Sequence, residues 1–206
     1  MTNNLTRRSL TRRSLMAAGL SAALVAALPR GALALTDASA RALVDKLVAE
    51  INGVIASGQS LSSMISNFEG IFRRYADVDL IARSTLGADA NRASAAQLAA
   101  YTEAFRGYIA RKYGKRFKEF EGGQIEVLGV AQVKSWHEVQ ARVNLRGQTP
   151  FDVRFLVSGR SGRDLFFDMV IEGISLRLSE RTEVGSMLDR RQGNIDALIA
   201  DLRQAG

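Results

Sequence analysis

The sequence contains no cysteine and a single histidine. Without cysteine the chain can form no disulfide bond, and it has neither a thiolate nucleophile nor a thiolate ligand for a metal ion. With His137 as the only histidine, a histidine-cluster metal site and most histidine-based proton relays are excluded as well. The phosphate-binding, dinucleotide-binding, zinc-protease and serine-hydrolase motifs are also missing. These absences predict a protein that has no metal site and no cofactor.

Acidic residues are missing from positions 1–35, which hold five arginines. The whole chain carries a net charge of +7. Without that segment, 23 of the 28 basic residues remain against 21 acidic ones, so the excess falls to about +2. So small an excess neutralises few phosphates, and nucleic acid is not the expected partner.

The N-terminal segment has the pattern of an export signal. A paired arginine, Arg12–Arg13, precedes the apolar run Met16–Leu28. That run is shorter than the ~20 residues that span a bilayer, but it suits the apolar region of a signal peptide. Ala32–Ala34 matches the small-residue cleavage pattern. We therefore predict that residues 1–34 form a twin-arginine-like signal, cleaved near Ala34 on the way to the periplasm; an ordinary secretory signal with extra arginines is the alternative.

Residues 35–206 read as one domain in which helices precede and follow a run of strands. Apolar residues at helical spacing predict helices at 37–57, from Ser60 or Ser62 to 75, 77–86, 94–120, 174–190 (interrupted or capped near Gly185) and 194–202. Alternating apolar residues predict strands at 124–133, 138–146, 151–157 and 165–171. This order predicts an α+β fold, a four-stranded antiparallel sheet with helices packed on one face.

Large apolar side chains gather on one face of the last two strands. In the third strand this face holds Phe151, Val153, Phe155 and Val157, and in the fourth Leu165, Phe167, Met169 and Ile171. The longest helix adds an aromatic stripe. Such surfaces are more often ordinary core than the wall of a cavity, and the pattern alone leaves both interpretations open.

Two groups of charged residues have both a functional and a structural interpretation. Asp168 and Glu172 lie on one face of the fourth strand, where paired carboxylates could act as acid and base. Arginines on the neighbouring strands make cross-strand ion pairs the better interpretation. The basic run 111–118 could attract anionic head groups or simply form a solvated helix end.

Several motifs resemble the MlaC family, periplasmic phospholipid-binding proteins of the Mla (toluene-tolerance) ABC transport system. They are the segment Phe167–Leu176 followed by Arg181, the closing segment Gly193–Leu202, and upstream Leu86-Gly87, Gln97, Phe105, Tyr108 and Tyr113. The resemblance covers about 38–202. It departs from the family at Asn91, Asp164–Phe167 and Val184, which leaves the identity of the lipid open.

The resemblance implies a fold of NTF2 or cystatin-like appearance around an apolar lipid pocket. It implies a carrier without catalytic residues, which shuttles a phospholipid between an inner-membrane MCE-domain ABC transporter complex and an outer-membrane lipoprotein–porin complex and so maintains outer-membrane lipid asymmetry. The alternatives are a carrier of a hopanoid or sterol-like lipid, and a small cone-shaped α+β enzyme that uses Asp168 or Glu172 as a base on an apolar substrate. The residues expected to bind lipid are Phe68, Phe72, Leu98, Tyr101, Phe105, Tyr108, Ile109, Val153, Phe155, Phe167, Met169, Ile171 and Ile174.

Overall fold

The computed structural model describes residues 35–206, so the predicted export signal and its cleavage site lie outside the described residues. Within this range, six α-helices and one five-stranded antiparallel sheet form an α+β fold, as the sequence predicts. Their bounds are α1 Asp37–Ala56, α2 Leu61–Tyr75, α3 Val78–Leu86, α4 Ala95–Gly114, β1 Gln124–Val133, β2 Trp136–Asn144, β3 Phe151–Ser158, β4 Leu165–Ile171, β5 Ile174–Ser175, α5 Leu176–Arg190 and α6 Ile195–Gln204. Two 3₁₀ helices, Gly87–Asn91 and Lys115–Phe120, follow α3 and α4.

The helix starts are set by side chains that accept hydrogen bonds from the first-turn backbone. Ser60 begins α2, Asp77 begins α3 and Asn194 begins α6, each accepting from the amide three residues ahead. Ser94 begins α4 in a reciprocal capping box with Gln97. These local signals are why the predicted starts of these four helices are confirmed, whereas the fifth helix begins at Leu176 rather than at the predicted Ile174.

The sequence predicted four strands, whereas the sheet has five. The turn residues Glu172 and Gly173 both have positive φ, +49° and +82°, which a two-residue hairpin turn requires. The chain therefore folds back, and Ile174–Ser175 pairs with Val170–Ile171 as β5 before α5 begins.

Two further predictions about helices were wrong, a break near Gly185 and an α-helix that extends to Phe120. α5 runs without a break through Gly185, because a single glycine costs a helix only about 1 kcal/mol, while Val184, Met187 and Leu188 are buried. The long helix from Ser94 ends at Gly114 and continues to Phe120 as a 3₁₀ helix.

A β-bulge in β4 reverses part of the predicted strand pattern. Leu156 pairs with Asp168 but Val157 pairs with Phe166, so β4 holds one extra residue, Phe167, at this point. Phe166 consequently lies on the same face as Val157 and is buried, whereas Leu165 lies on the opposite face. The prediction that Leu165 belongs to the apolar face was wrong.

The helices cover one face of the sheet, and the other face carries charge. α1 packs along β1 and β2, where the Asn52 amide both donates to and accepts from the backbone of Ile125. On the opposite face Arg142 pairs with Asp152 (Nε–Oδ1 2.9 Å) and Arg154 with Glu138 (Nη1–Oε2 2.8 Å). The predicted cross-strand ion pairs thus exist, but with different carboxylates from Asp168 and Glu172.

Candidate functional site

A cavity of about 280 Å³ lies between the helix-covered face of the sheet and the helices. Its lining is mostly apolar and comes from helices α1 to α5, the second 3₁₀ helix and strands β1 to β4. All nine phenylalanines of the chain line it: Phe68, Phe72, Phe105, Phe117, Phe120, Phe151, Phe155, Phe166 and Phe167. Outside the cavity the fully buried positions include aliphatic residues such as Leu198, Leu202 and Val184 and two tyrosines, Tyr101 and Tyr108, but no phenylalanine. The phenylalanine rings are therefore concentrated at this one feature of the fold.

The rings of the cavity wall pack on one another. Phe68 makes an edge-to-face contact with Phe117 (centroids 5.0 Å apart), which joins α2 to the second 3₁₀ helix. Phe166 touches Phe155 at 5.9 Å and Phe72 at 6.2 Å, which joins β4 to β3 and α2. Offset and edge-to-face pairs are the favoured arrangements of aromatic rings. The wall is thus held together by contacts between its own members.

Nine of the thirteen residues predicted to bind lipid line the cavity: Phe68, Phe72, Phe105, Ile109, Val153, Phe155, Phe167, Met169 and Ile171. The structure brings them together from α2, α4, β3 and β4, which are distant in the sequence. The other four, Leu98, Tyr101, Tyr108 and Ile174, lie outside its lining.

The four residues outside the cavity have other environments. Tyr101 is completely buried, and its hydroxyl is 2.8 Å from Thr85 Oγ1. The Tyr108 hydroxyl donates to Glu183 (2.8 Å) in α5, and Leu98 is partly buried against the core. Ile174 of β5 is 61% exposed. A helical stripe identifies a buried face, but it does not identify the part of that face which borders a cavity.

Sequence reasoning missed several wall residues. Leu47 and Ile51 of α1 line the cavity, but their spacing is that of any core helix. Phe166 reaches it only through the bulge, and Phe117 and Phe120 through the 3₁₀ turn after α4. The available signal was the aromatic count, because an inventory of the phenylalanines would have identified every one of these rings.

Two groups of polar residues belong to the lining of the cavity. Arg116, Glu119 and Gln148 are exposed, so the cavity reaches the surface at the second 3₁₀ helix and the turn after β2. Asp168, Arg177 and Glu180 form the second group, beside the start of α5. An apolar cavity with a few polar residues in its lining suits a ligand that is itself amphiphilic.

Asp168, a member of the second group, has a structural role. Its side chain is nearly fully buried, and it accepts hydrogen bonds from Ser175 Oγ (2.6 Å) and from the Arg177 amide (3.1 Å). It therefore ties β4 to the first turn of α5. Glu172 lies on the other face of the sheet and accepts from the Asp152 amide. Neither carboxylate is placed as a free base in the cavity.

Glu180 belongs to a charged network between α4 and α5. Its Oε1 accepts from Lys112 Nζ (2.7 Å) and from the Tyr113 hydroxyl (2.5 Å), and Lys112 also donates to Glu183 (2.5 Å). Burial by itself would lower the pKa of Lys112, but the hydrogen bonds to Glu180 and Glu183 raise it overall. Burial, together with these carboxylates, raises the pKa of Tyr108 and Tyr113. Lys112, Tyr108 and Tyr113 therefore stay protonated at neutral pH and act as hydrogen-bond donors.

Two further properties limit the chemistry of residues 35–206. No cluster of three histidine, aspartate or glutamate side chains in this range could hold a metal ion. None of the helices in the same range is both long enough and apolar enough to cross a bilayer.

The chain is similar to known proteins both in sequence and in structure. Residues 41–204 match the family model described as MlaC protein. The structure is similar to that of a phospholipid-binding protein from Ralstonia solanacearum, solved in complex with a phospholipid, with a TM-score of 0.69 at 17% sequence identity. The match covers 80% of this chain and 95% of that one. At this identity the likeness shows a shared fold.

Proposed function

The chain belongs to the MlaC family of non-enzymatic lipid carriers, and we propose that it carries one phospholipid through the periplasm. In this proposal it exchanges its cargo with an inner-membrane MCE-domain transporter complex and an outer-membrane lipoprotein–porin complex, and so maintains the lipid asymmetry of the outer membrane. The residues at 1–34 act as a cleaved export signal that delivers it there.

The observation that carries the proposal is the cavity lined by every phenylalanine of the chain. A protein that needs these rings only for stability would distribute them through its core, where close packing leaves few voids larger than a water molecule. Here they surround about 280 Å³, close to the lower end of the range of about 300–1,000 Å³ that ligand pockets occupy. Acyl chains are the ligand class that matches such a wall, and the Ralstonia protein with this fold was solved with a phospholipid.

The energetics of lipid transfer call for such a wall. Each buried CH₂ contributes ~0.8 kcal/mol, so a chain of ~16 carbons favours an apolar environment over water by roughly 12 kcal/mol. Unassisted passage through water is therefore negligible. A carrier must provide similar apolarity without greatly exceeding that of the membrane, because otherwise it would not release its cargo. A wall of Phe, Ile, Val and Met satisfies both conditions.

Native mass spectrometry of the protein purified from the periplasm tests the proposal. We expect an adduct of phospholipid mass, and its identity is read by lipid extraction. Val153→Phe, which places a ring in the cavity, should reduce the adduct at least several-fold. Leu128→Phe, at a 44% exposed position of β1, should leave it unchanged. Protein that is consistently free of lipid would overturn the proposal.

A further inference from the structure

β1 lies at one edge of the sheet, and another element covers only its first half. The side-chain amide of Asn52 in α1 bonds both backbone groups of Ile125, and Arg41 of the same helix donates to the Val127 carbonyl (3.2 Å). A β-bulge follows directly after Val127. Beyond it, no hydrogen bond within residues 35–206 joins the edge of β1 to a helix. The second half of β1 is therefore an open edge of the sheet.

The free backbone groups of this edge belong to Val130 and Gln132. Successive residues of a strand direct their N–H and C=O groups alternately to its two sides. Ile125 faces away from β2, so Val143, which lies opposite it, faces β3, and alternation along β2 gives Val139 the same direction. Val130 lies opposite Val139 and therefore also faces away from β2, as does Gln132 two residues later. In the part of the chain that the structure describes, no group bonds these N–H and C=O groups, so water or a further strand satisfies them.

The sequence of the open edge favours a further strand. Residues 128–133 contain no charged residue and no proline, two of the devices by which proteins keep other strands from pairing with an edge. Leu128 is 44% exposed. Gly129 has no positive φ, and a Cβ at this position would meet nothing within 4 Å, so no contact in the described chain requires a glycine. A glycine inside a strand often marks a place where another backbone approaches closely.

The charges that flank this segment identify the further strand as β1 of a second copy. Glu126 lies four residues before Val130, and Lys134 lies four residues after it. Both side chains are exposed, and within residues 35–206 neither of them forms an ion pair. An antiparallel pair of identical strands centred on Val130 places each Glu126 opposite the Lys134 of the other copy. The segment is thus complementary to itself in charge, as an interface with two-fold symmetry requires.

We propose that β1 pairs antiparallel with β1 of a second copy of this chain, centred on Val130, so that the two sheets join. The two Val130 residues exchange a pair of backbone hydrogen bonds, N–H to C=O in both directions. Leu128 comes to lie opposite Gln132 of the other copy, which covers part of its exposed surface. The pairing ends at the bulge and at the turn into β2, so the contact is short and the dimer forms reversibly. None of residues 128–133 lines the cavity, so the dimer is a property beyond lipid carriage.

Pairs of introduced cysteines test both the contact and its register, because the chain has no cysteine of its own. In the proposed register Gly129 lies opposite Ala131 of the other copy. Their Cα atoms are then about 4.5 Å apart, which a disulfide can span, whereas two residues at the same position are about 7–8 Å apart, which it cannot. Gly129→Cys and Ala131→Cys are purified separately, mixed and mildly oxidised, and intact masses distinguish the three dimers. We expect the mixed dimer to exceed each symmetrical dimer by about tenfold, against about twofold for random collisions.

Charge exchange tests the self-complementarity and supplies its own control. Glu126→Lys and Lys134→Glu each convert two attractive contacts of the dimer into repulsive ones. Each should weaken association, measured by sedimentation velocity, by about tenfold. The double variant restores opposite charges and should associate like the wild-type protein. Misfolding does not account for such a restoration, and circular dichroism checks that every variant is folded.

Three results would overturn the proposal. The first is a wild-type protein that sediments as a monomer at every concentration up to about 0.5 mM, which would leave the open edge to a strand of another protein. The second is a mixture of disulfide-linked dimers in random proportion. The third is a double charge variant that associates no better than the single variants. Each of these results leaves the proposed function intact, because native mass spectrometry of the lipid adduct tests that function separately.

Discussion

At the scale of single residues, the wall of the cavity differs from the rest of the core in being rich in phenylalanine. All nine rings border the cavity, whereas the fully buried positions of α6 are leucines. A ring at a cavity surface has fewer neighbours than one enclosed on all sides, so its contribution to stability is smaller. Its contribution to ligand binding is correspondingly larger, because the ligand supplies the missing contacts.

Phe155→Ala tests this difference. Phe155 is 3% exposed and lines the cavity, so the substitution enlarges an existing space. We expect it to lower the free energy of unfolding of the lipid-free protein by less than the ~3–5 kcal/mol typical of a packed core phenylalanine. The bound lipid fraction should fall several-fold, as measured by native mass spectrometry.

Leu198→Ala is the control for that substitution. Leu198 is fully buried in α6 and does not line the cavity. We expect a loss of about 2–5 kcal/mol and an unchanged lipid fraction in the folded protein, with stability measured by urea unfolding. If Phe155→Ala proved as costly as a core substitution and left lipid binding intact, Phe155 would be ordinary core.

At the scale of secondary-structure elements, a glycine is required where two helices approach each other closely. A Cβ at Gly114 would lie 2.9 Å from Cγ1 and 3.1 Å from Cα of Ile65, so α4 meets α2 there without room for a side chain. A Cβ at Gly185 would meet nothing within 4 Å. Two glycines that look alike in sequence therefore have different roles in the structure.

Replacing each of these glycines with alanine should change stability in opposite directions. Gly114→Ala should destabilise the protein by about 1–3 kcal/mol, because α2 or α4 must shift. Gly185→Ala should stabilise it by about 0.5–1 kcal/mol, because alanine restricts the unfolded chain in a helix that already runs through this position. Thermal and urea unfolding of both variants measures the difference. A destabilising Gly185→Ala would contradict the continuous α5.

The contacts of Glu183 in α5 with Lys112 and Tyr108 in α4 should make the stability of the protein depend on pH. The hydrogen bond from Lys112 holds the pKa of Glu183 below its usual value of 4.5, and the bond from Tyr108 acts in the same direction. A carboxyl whose pKa is lowered on folding stabilises the folded state above its unfolded pKa. This stabilisation is lost as the pH falls through the folded value.

Glu183→Gln removes that contribution. At pH 7 we expect the variant to unfold about 2 °C lower than the wild-type protein, because the pair is half exposed. The difference should disappear as the pH is lowered from about 5 to 3. Glu121→Gln, at an exposed turn, should show no such trend. A difference between Glu183→Gln and wild type that stays constant across this range, measured by circular dichroism melting curves, would contradict the assignment.

At the scale of the whole molecule, the proposed function requires that the protein be exported. The chain has two paired arginines before its apolar run, Arg7–Arg8 and Arg12–Arg13, and we propose that the second pair, which adjoins the run, is the one recognised. Replacing Arg12 and Arg13 with lysine should reduce the periplasmic protein at least tenfold, because a twin-arginine signal requires the pair itself. Replacing Arg7 and Arg8 with lysine should leave export intact. Cell fractionation followed by immunoblotting gives the readout, and equal export of both variants would favour an ordinary secretory signal.

The sequence by itself determined the elements whose signals are local. Capping side chains at Ser60, Asp77, Ser94 and Asn194 accept from amides of their own first turn, so the starts of these helices are readable from a few residues. The alternating strands and the motifs of the last third similarly specified the fold class and the family. These signals need no partner from elsewhere in the chain.

Only the tertiary structure decided which buried residues border the cavity. The bulge at Phe167 depends on the pairing of β4 with β3, and it alone moved Phe166 to the wall and Leu165 away from it. Tyr101 and Phe105 share one helical stripe, yet Phe105 lines the cavity and Tyr101 packs beside Thr85. Glu180 becomes part of the site because Lys112 and Tyr113 of another helix hold it there. A cavity is formed by side chains from distant segments that approach without filling the space between them, and no periodicity within a single segment encodes that distance.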